Sequence, residues 1–179
     1  MYFEWLTVIR DYFKTIKKNE KRIEILSPLF ISLAVSIIYW WLNLSSDALI
    51  HLRSILPSTI SILIGFSMTG LTIIITSENN AIRRIKNQYT KGRKIVRREI
   101  TLYQWLVIMF IYTIIIEIFL LLFIFFSAFL IQIIYFEVLA VALLFVQVVF
   151  LLHIFLVLLR NMAYIYFAFY DNSKEGDDL

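Results

Sequence analysis

Between Thr101 and Leu159 the chain runs for 59 residues with only two formal charges, Glu117 and Glu137. A hydrocarbon layer ~30 Å thick needs ~20 helical residues at ~1.5 Å each. The run is too long for one crossing and long enough for two of about 25 residues with a brief turn. No Gly, Pro or Asn marks that turn, so the interruption Ser127, Ala128 and Gln132 places it near 127–132. Two earlier stretches can also cross. Pro28–Leu44 is entered through Ser27 as N-cap and Pro28 in the first turn, and it ends in Tyr39, Trp40 and Trp41, rings suited to the headgroup level. Pro57–Thr76 is 20 residues long and carries no charge. The expected fold is all-α and polytopic, with four transmembrane helices plus an N-terminal amphipathic helix, and homo-oligomeric. Composition agrees: 61% hydrophobic and 17% charged, where a soluble domain has nearer half and a quarter.

Residues 1–26 form the expected N-terminal amphipathic segment. Within residues 1–22, Tyr2, Trp5, Leu6, Ile9, Tyr12, Phe13 and Ile16 share one helical face, with Arg10, Asp11, Lys14, Lys17 and Lys18 on the other side. Such a helix suits the membrane interface, and equally a site docked under the bundle. Residues 27–159 form the transmembrane domain, interrupted at 77–100 by a basic segment expected to be a helical hairpin, with Gly92 as a helix C-cap or tight turn. Residues 160–179 are an aromatic and then acidic tail. Six Lys and Arg lie in 1–26, eight in 77–100 and two in the tail, against Arg53 alone in the opposite loops. The positive-inside rule therefore puts both termini and the basic segment on the cytoplasmic side.

The second span differs from its greasier neighbours. Ser58, Ser61, Gly65, Thr69, Thr72 and Thr76 fall on one side of it, within a sector of about 80°. A membrane helix with such a stripe either packs closely on another helix or faces water. Glu117, deep in the third span, is a functional candidate because a carboxyl group in hydrocarbon costs ~2.5–3.5 kcal/mol to insert. The bland alternative is a protonated Glu117 bonded to a neighbouring helix. Glu137 stands near the outer end of the fourth span. Gln147 reads as an interhelical hydrogen bonder and His153 as a packing residue.

Little here supports an enzyme. His51 and His153 fall on opposite sides of the membrane and there is no cysteine, which removes an ordinary zinc site. Gly65, Gly70 and Gly92 make no phosphate loop, and Ser67 has no nucleophile elbow. No metal or cofactor is expected.

Two functions then compete. In the first, several copies surround a pore, because four spans alone leave no water path. The hydroxyl stripe lines it, and Trp5, Phe13 and Phe66 are the gating candidates. Arg83, Arg84, Lys86, Lys91, Arg93, Lys94, Arg97 and Arg98 receive a phosphate-rich or acidic ligand, with Tyr89 as a stacking face. The same charges could instead fix topology and touch anionic lipid headgroups, at ~1 kcal/mol each near the surface. In the second, the chain is a non-conducting adaptor whose stripe is a packing seam and whose basic segment recruits an acidic cytosolic partner.

This layout, and the run SILIGFSMTGLTIIITSENN most of all, resembles the small four-helix membrane proteins of bacterial anti-phage defence systems. The resemblance covers most of the chain and rests on layout. The resemblance to this class implies an effector that opens in the inner membrane on a cytosolic sensor or a nucleotide signal. Similarity to the membrane subunit of Hailong-type systems implies a tetrameric channel, held shut by its N-terminus and opened by short DNA oligomers. Similarity to the membrane subunit of Kiwa-type systems implies a sensor that holds a soluble DNA-binding partner protein.

Overall fold

The structure, a computed structural model, describes residues 3–42, 46–133 and 137–170, and within them every side chain except those of 46–50, 52, 53, 137 and 168–170. In chain order the elements are α1 (Glu4–Thr15), α2 (Lys18–Lys21), a π turn (Arg22–Leu26), α3 (Ser27–Trp41), α4 (Ser46–Thr76), α5 (Asn80–Asn87), β1 (Tyr89–Ile95), β2 (Arg98–Thr101), α6 (Leu102–Ile133) and α7 (Glu137–Tyr170). Among the described residues four stretches are long and apolar enough to cross a membrane: Lys18–Trp41, Ser54–Thr76, Leu102–Ile133 and Val138–Phe167.

The first span does not begin at Ser27. Ser27 has helical torsions (φ −65°, ψ −43°), and its hydroxyl bonds back to the Ile23 carbonyl instead of capping. The helix runs on from Lys18 through the π turn, so Lys18–Leu26 belongs with the span and the N-terminal helix stops at Thr15. Nor does the helix of the second span begin at Pro57, which lies inside α4, already running from Ser46. Nor does the chain turn at 127–132, because α6 passes through Ser127 to Ile133. Ser127 is tolerated mid-helix because its hydroxyl donates to the Ile124 carbonyl at 2.8 Å. The fold is therefore mostly helical but not all-α. Where a helical hairpin was expected at 77–100, one short helix is followed by a two-stranded antiparallel hairpin.

The chain divides into two compact units. One comprises Asn19–Gly65 and Ile116–Phe155. Its first helix buries a single line at four-residue spacing: Glu24, Pro28, Ser32 and Ser36. Large apolar side chains beside them, Phe30, Ile31, Leu33 and Ile37, point outward. That pattern is inverted relative to a water-soluble helix, as expected where lipid is the solvent and small polar residues make the helix contacts.

The other unit comprises Met1–Lys18, Phe66–Ile115 and Leu156–Leu179. Its core packs Ile74 of α4, Ile82 and Ile85 of α5, and Leu106 and Phe110 of α6, with Tyr164 and Ile165 of α7 against them. Gly70 lets α4 come close to α6: a Cβ there would lie 2.8 Å from the Phe110 ring. A reciprocal cap opens α6. The Gln104 backbone N–H donates to Thr101 Oγ1 at 3.2 Å, and the Thr101 N–H donates to Gln104 Oε1 at 3.0 Å.

Candidate functional site

The basic segment is built by three local devices. Asn79 caps α5, its side-chain oxygen accepting from the Ile82 N–H at 2.9 Å. Ile82 and Ile85 then enter the core and leave Arg83 and Lys86 exposed. After Asn87 the chain becomes β1. Tyr89 pairs with Thr101 and Lys94 with Glu99, so five residues of advance on β1 stand against two on β2. This is a bulge, and Gly92 within it has φ +84°. Nothing lies within 4 Å of a Cβ built on Gly92, so the torsion and not the space requires glycine. At the tip, Val96 (φ 47°) and Arg97 (φ 68°) make the two-residue turn between paired Ile95 and Arg98. Positive φ at both positions is what a tight hairpin needs, and a β-branched residue adopts it at a cost.

These devices sort the eight predicted ligand residues. Arg83, Lys86, Lys91, Lys94, Arg97 and Arg98 are exposed, and Arg84 is half-buried. Lys86 also lies over the Tyr103 ring, 5.1 Å from its centroid. Tyr89 is exposed, and Val96 at the tip is 86% exposed. Arg93 is different. The bulge turns it inward until it is only 4% exposed. Its guanidinium donates to the Thr15 carbonyl at 2.7 Å and lies 3.8 Å above the Trp105 ring. Thr15 ends α1, so Arg93 satisfies one of the carbonyls that a helix C-terminus leaves open and complements its dipole. A ligand arriving from solvent meets its neighbours, not Arg93.

The same contact seats α1. Tyr12 is buried and stacks on Tyr112, with ring centroids 3.6 Å apart and planes 4° from parallel. Its hydroxyl accepts from Arg160 at 3.3 Å. Of the gating candidates, Phe13 stands edge-on to Tyr112 at 6.0 Å and is 40% exposed, Trp5 is half-buried, and Phe66 on α4 is exposed.

All six stripe residues of α4 are exposed. In one unit, Leu56 and Ile60 are buried while Ser58, Ser61 and Gly65 are exposed; in the other, Ser67 and Ile74 are buried while Thr69, Thr72 and Thr76 are exposed. At helical spacing the stripe lies about 170° from the buried line. In each unit the stripe thus faces away from the residues that α4 buries there. Ser58, Ser61, Thr72 and Thr76 donate their hydroxyl protons to the Ile55, Pro57, Met68 and Thr72 carbonyls, at 2.7–2.8 Å, so their oxygen lone pairs turn outward.

The polar residues of α6 and α7 behave oppositely. Glu117, Ser127, Gln147 and His153 are all buried. Gln147 Nε2 donates to Ser127 Oγ at 2.7 Å, the interhelical bond expected of it. His153 Nδ1 donates to the Glu24 carbonyl at 2.8 Å. Pro28 explains that partner. Proline has no N–H to offer the carbonyl four residues before it, which is Glu24, and the imidazole donates to that carbonyl. Sequence reading missed Glu24 and Asn161, both buried; the position of Glu24 one turn before a proline was the available signal. Glu137 is the first residue of α7, and its side chain lies outside the described residues. Asn43 and the acidic tail lie outside them too. Among the described residues no group of three His, Asp or Glu could hold a metal ion.

Comparison with protein-family models, with curated proteins and with solved structures returns no match.

Proposed function

We propose that copies of this chain, four as the favoured number, surround a gated ion pore in a bacterial inner membrane. Both termini and the basic segment face the cytoplasm, and the pore serves as an effector of anti-phage defence. The observation that carries the reading is the direction of the α4 stripe: hydroxyl and glycine positions face away from the chain that bears them, where lipid would favour Ile or Leu. A second copy or a column of water suits that face better than hydrocarbon does. The exposed cations Arg83, Lys86, Lys91, Lys94, Arg97 and Arg98 receive the opening signal, a short single-stranded DNA or a nucleotide-like anion. The amphipathic α1 lies at the cytoplasmic interface. It is the autoinhibitory candidate, held by Arg93 and by the Tyr12–Tyr112 stack.

A second reading is a non-conducting adaptor that recruits an acidic or DNA-binding partner. The exposed apolar tip Val96 on a largely cationic hairpin favours it. Conductance in planar bilayers, with and without short single-stranded DNA, separates the two. The pore reading expects DNA-dependent current, lost in Arg97→Glu/Arg98→Glu without loss of membrane insertion. Silence from an intact reconstituted oligomer, even after removal of α1, would leave the adaptor.

A further inference from the structure

We infer that the acidic C-terminal segment, residues 171–179, docks on the exposed cations of α5 and the β-hairpin of the same chain and competes there with any incoming polyanion. The inference rests on reading that surface as an anion receiver.

Charge supplies the first argument. Residues 171–179 hold Asp171, Glu175, Asp177 and Asp178 against Lys174 alone, a net charge of −3. The surface offers six exposed cations, Arg83, Lys86, Lys91, Lys94, Arg97 and Arg98, with Glu78 and Glu99 as the acidic residues of the same segment. Elsewhere in the chain carboxylates are dispersed among basic residues or sit in apolar spans; 171–179 is where four of them gather.

Reach supplies the second. Tyr164 and Ile165 of α7 pack against the cluster that contains Ile82 and Ile85 of α5. Arg83 and Lys86 are each the next residue after those two isoleucines, on the exposed side. From Ile165 to the end of α7 at Tyr170 is about 8 Å of helix at ~1.5 Å per residue. Nine further residues span up to about 30 Å. Strand β1 has seven residues, or about 23 Å. The segment is therefore tethered beside α5 with enough chain to cover the hairpin as well. Tethering gives it a local concentration of order mM, so individually weak surface pairs suffice to hold it. An external polyanion with more charges displaces it, and salt weakens both.

The chain has no cysteine, which makes a disulfide test clean. Gly176→Cys in the acidic segment and Asn87→Cys at the end of α5 remove no charge. Oxidation of the full-length double variant in detergent micelles should give an intrachain cross-link, found by peptide mass spectrometry. The rate should fall at least about fivefold in high salt and when Asp171, Glu175, Asp177 and Asp178 are made Asn or Gln, since the tether is unchanged. Equal rates with the charged and neutral segments, or cross-links only between two chains, would overturn the inference. Binding of a short oligothymidylate is the separate readout. Neutralising the segment should tighten it roughly tenfold at low salt. A charge-dependent cross-link with no oligothymidylate binding in either form would leave the docking standing and remove the nucleic-acid reading. Oligothymidylate binding that ignores the segment's charge would remove the competition.

Discussion

Helices α4 and α7 are both long, apolar and interrupted by polar side chains, yet they place those side chains in opposite directions. On α7, Gln147 and His153 turn inward and find partners on Ser127 and at Glu24. On α4 the six stripe residues turn outward, and four of their hydroxyls bond only back to their own helix. The burial totals follow. Of each span's most apolar window, 39% is buried for α7 and 17% for α4. A polar group satisfied within its chain makes a span complete as a protomer. A polar face left outward makes the span's surroundings part of its function. Lipid alone is a poor neighbour for such a face, which is why the pore reading is attached to α4 and not to the carboxylate of Glu117.

Two glycines five residues apart on α4 give the sharpest break of this comparison. A Cβ on Gly65 meets nothing within 4 Å, whereas one on Gly70 runs into the Phe110 ring. Gly65→Leu should leave the chain's own unfolding within about 0.5 kcal/mol of the parent. It should also reduce pore current at least tenfold if the stripe faces water, or disperse the oligomer if it faces another copy. Gly70→Leu should destabilise the chain by about 1–3 kcal/mol through overpacking, whatever the oligomer does. Thermal unfolding in detergent beside bilayer current and detergent-phase size measures all three. If Gly65→Leu unfolds the chain, the outward stripe is a misreading.

How much of this was legible beforehand depends on what each signal encodes. Periodicity defines a helix face, so the stripe, the four spans and the interhelical role of Gln147 could be read from spacing. Periodicity carries no sign, so whether the stripe pointed in or out could not. The β-hairpin was hidden for a different reason. Ile82, Ile85 and Tyr89 keep helical spacing across the junction where α5 gives way to β1. The turn itself uses Val96 and Arg97 at positive φ, where Asn-Gly would have announced it. Pro28 and Pro57 stand where the sequence suggests span starts, yet both sit within continuous helix. In lipid, neighbouring groups re-satisfy the carbonyls that proline frees. The cap formed by Thr101 and Gln104 does have a sequence signature, Thr-x-x-Gln ahead of an apolar run.

Arg93 and Arg97 carry the same inward–outward contrast into the basic segment. Arg93→Met removes a charge-assisted hydrogen bond to the Thr15 carbonyl and a stack on Trp105. Together these contribute about 2–4 kcal/mol to the seating of α1. Arg97→Met removes an exposed cation and should change stability by less than about 0.5 kcal/mol. Hydrogen exchange over Glu4–Thr15 reads the difference: protection should fall about 30-fold or more in Arg93→Met and stay unchanged in Arg97→Met. Lysine restores the charge without the planar stack, so Arg93→Lys should recover only part of the protection. In a polyanion-binding assay the order reverses, with Arg97→Met the more damaging. Equal loss of protection in both variants would mean that the bulge does not commit Arg93 to α1.

The smallest effect tests why α7 counts as complete. If the His153 imidazole takes the place of the N–H that Pro28 cannot offer the Glu24 carbonyl, the two positions must be coupled. His153→Leu removes the imidazole's bond to that buried carbonyl and should cost about 1–3 kcal/mol. In a Pro28→Ala background the backbone N–H of residue 28 can return to the Glu24 carbonyl, and the same His153→Leu change should cost about 1 kcal/mol less. A double-mutant cycle on unfolding in detergent measures that coupling. Additivity would show that the imidazole acts through its packing against the helix and not through the missing proline donor. The inward polar groups of α7 would then be ordinary filling, and the contrast with α4 would rest on Gln147 and Ser127.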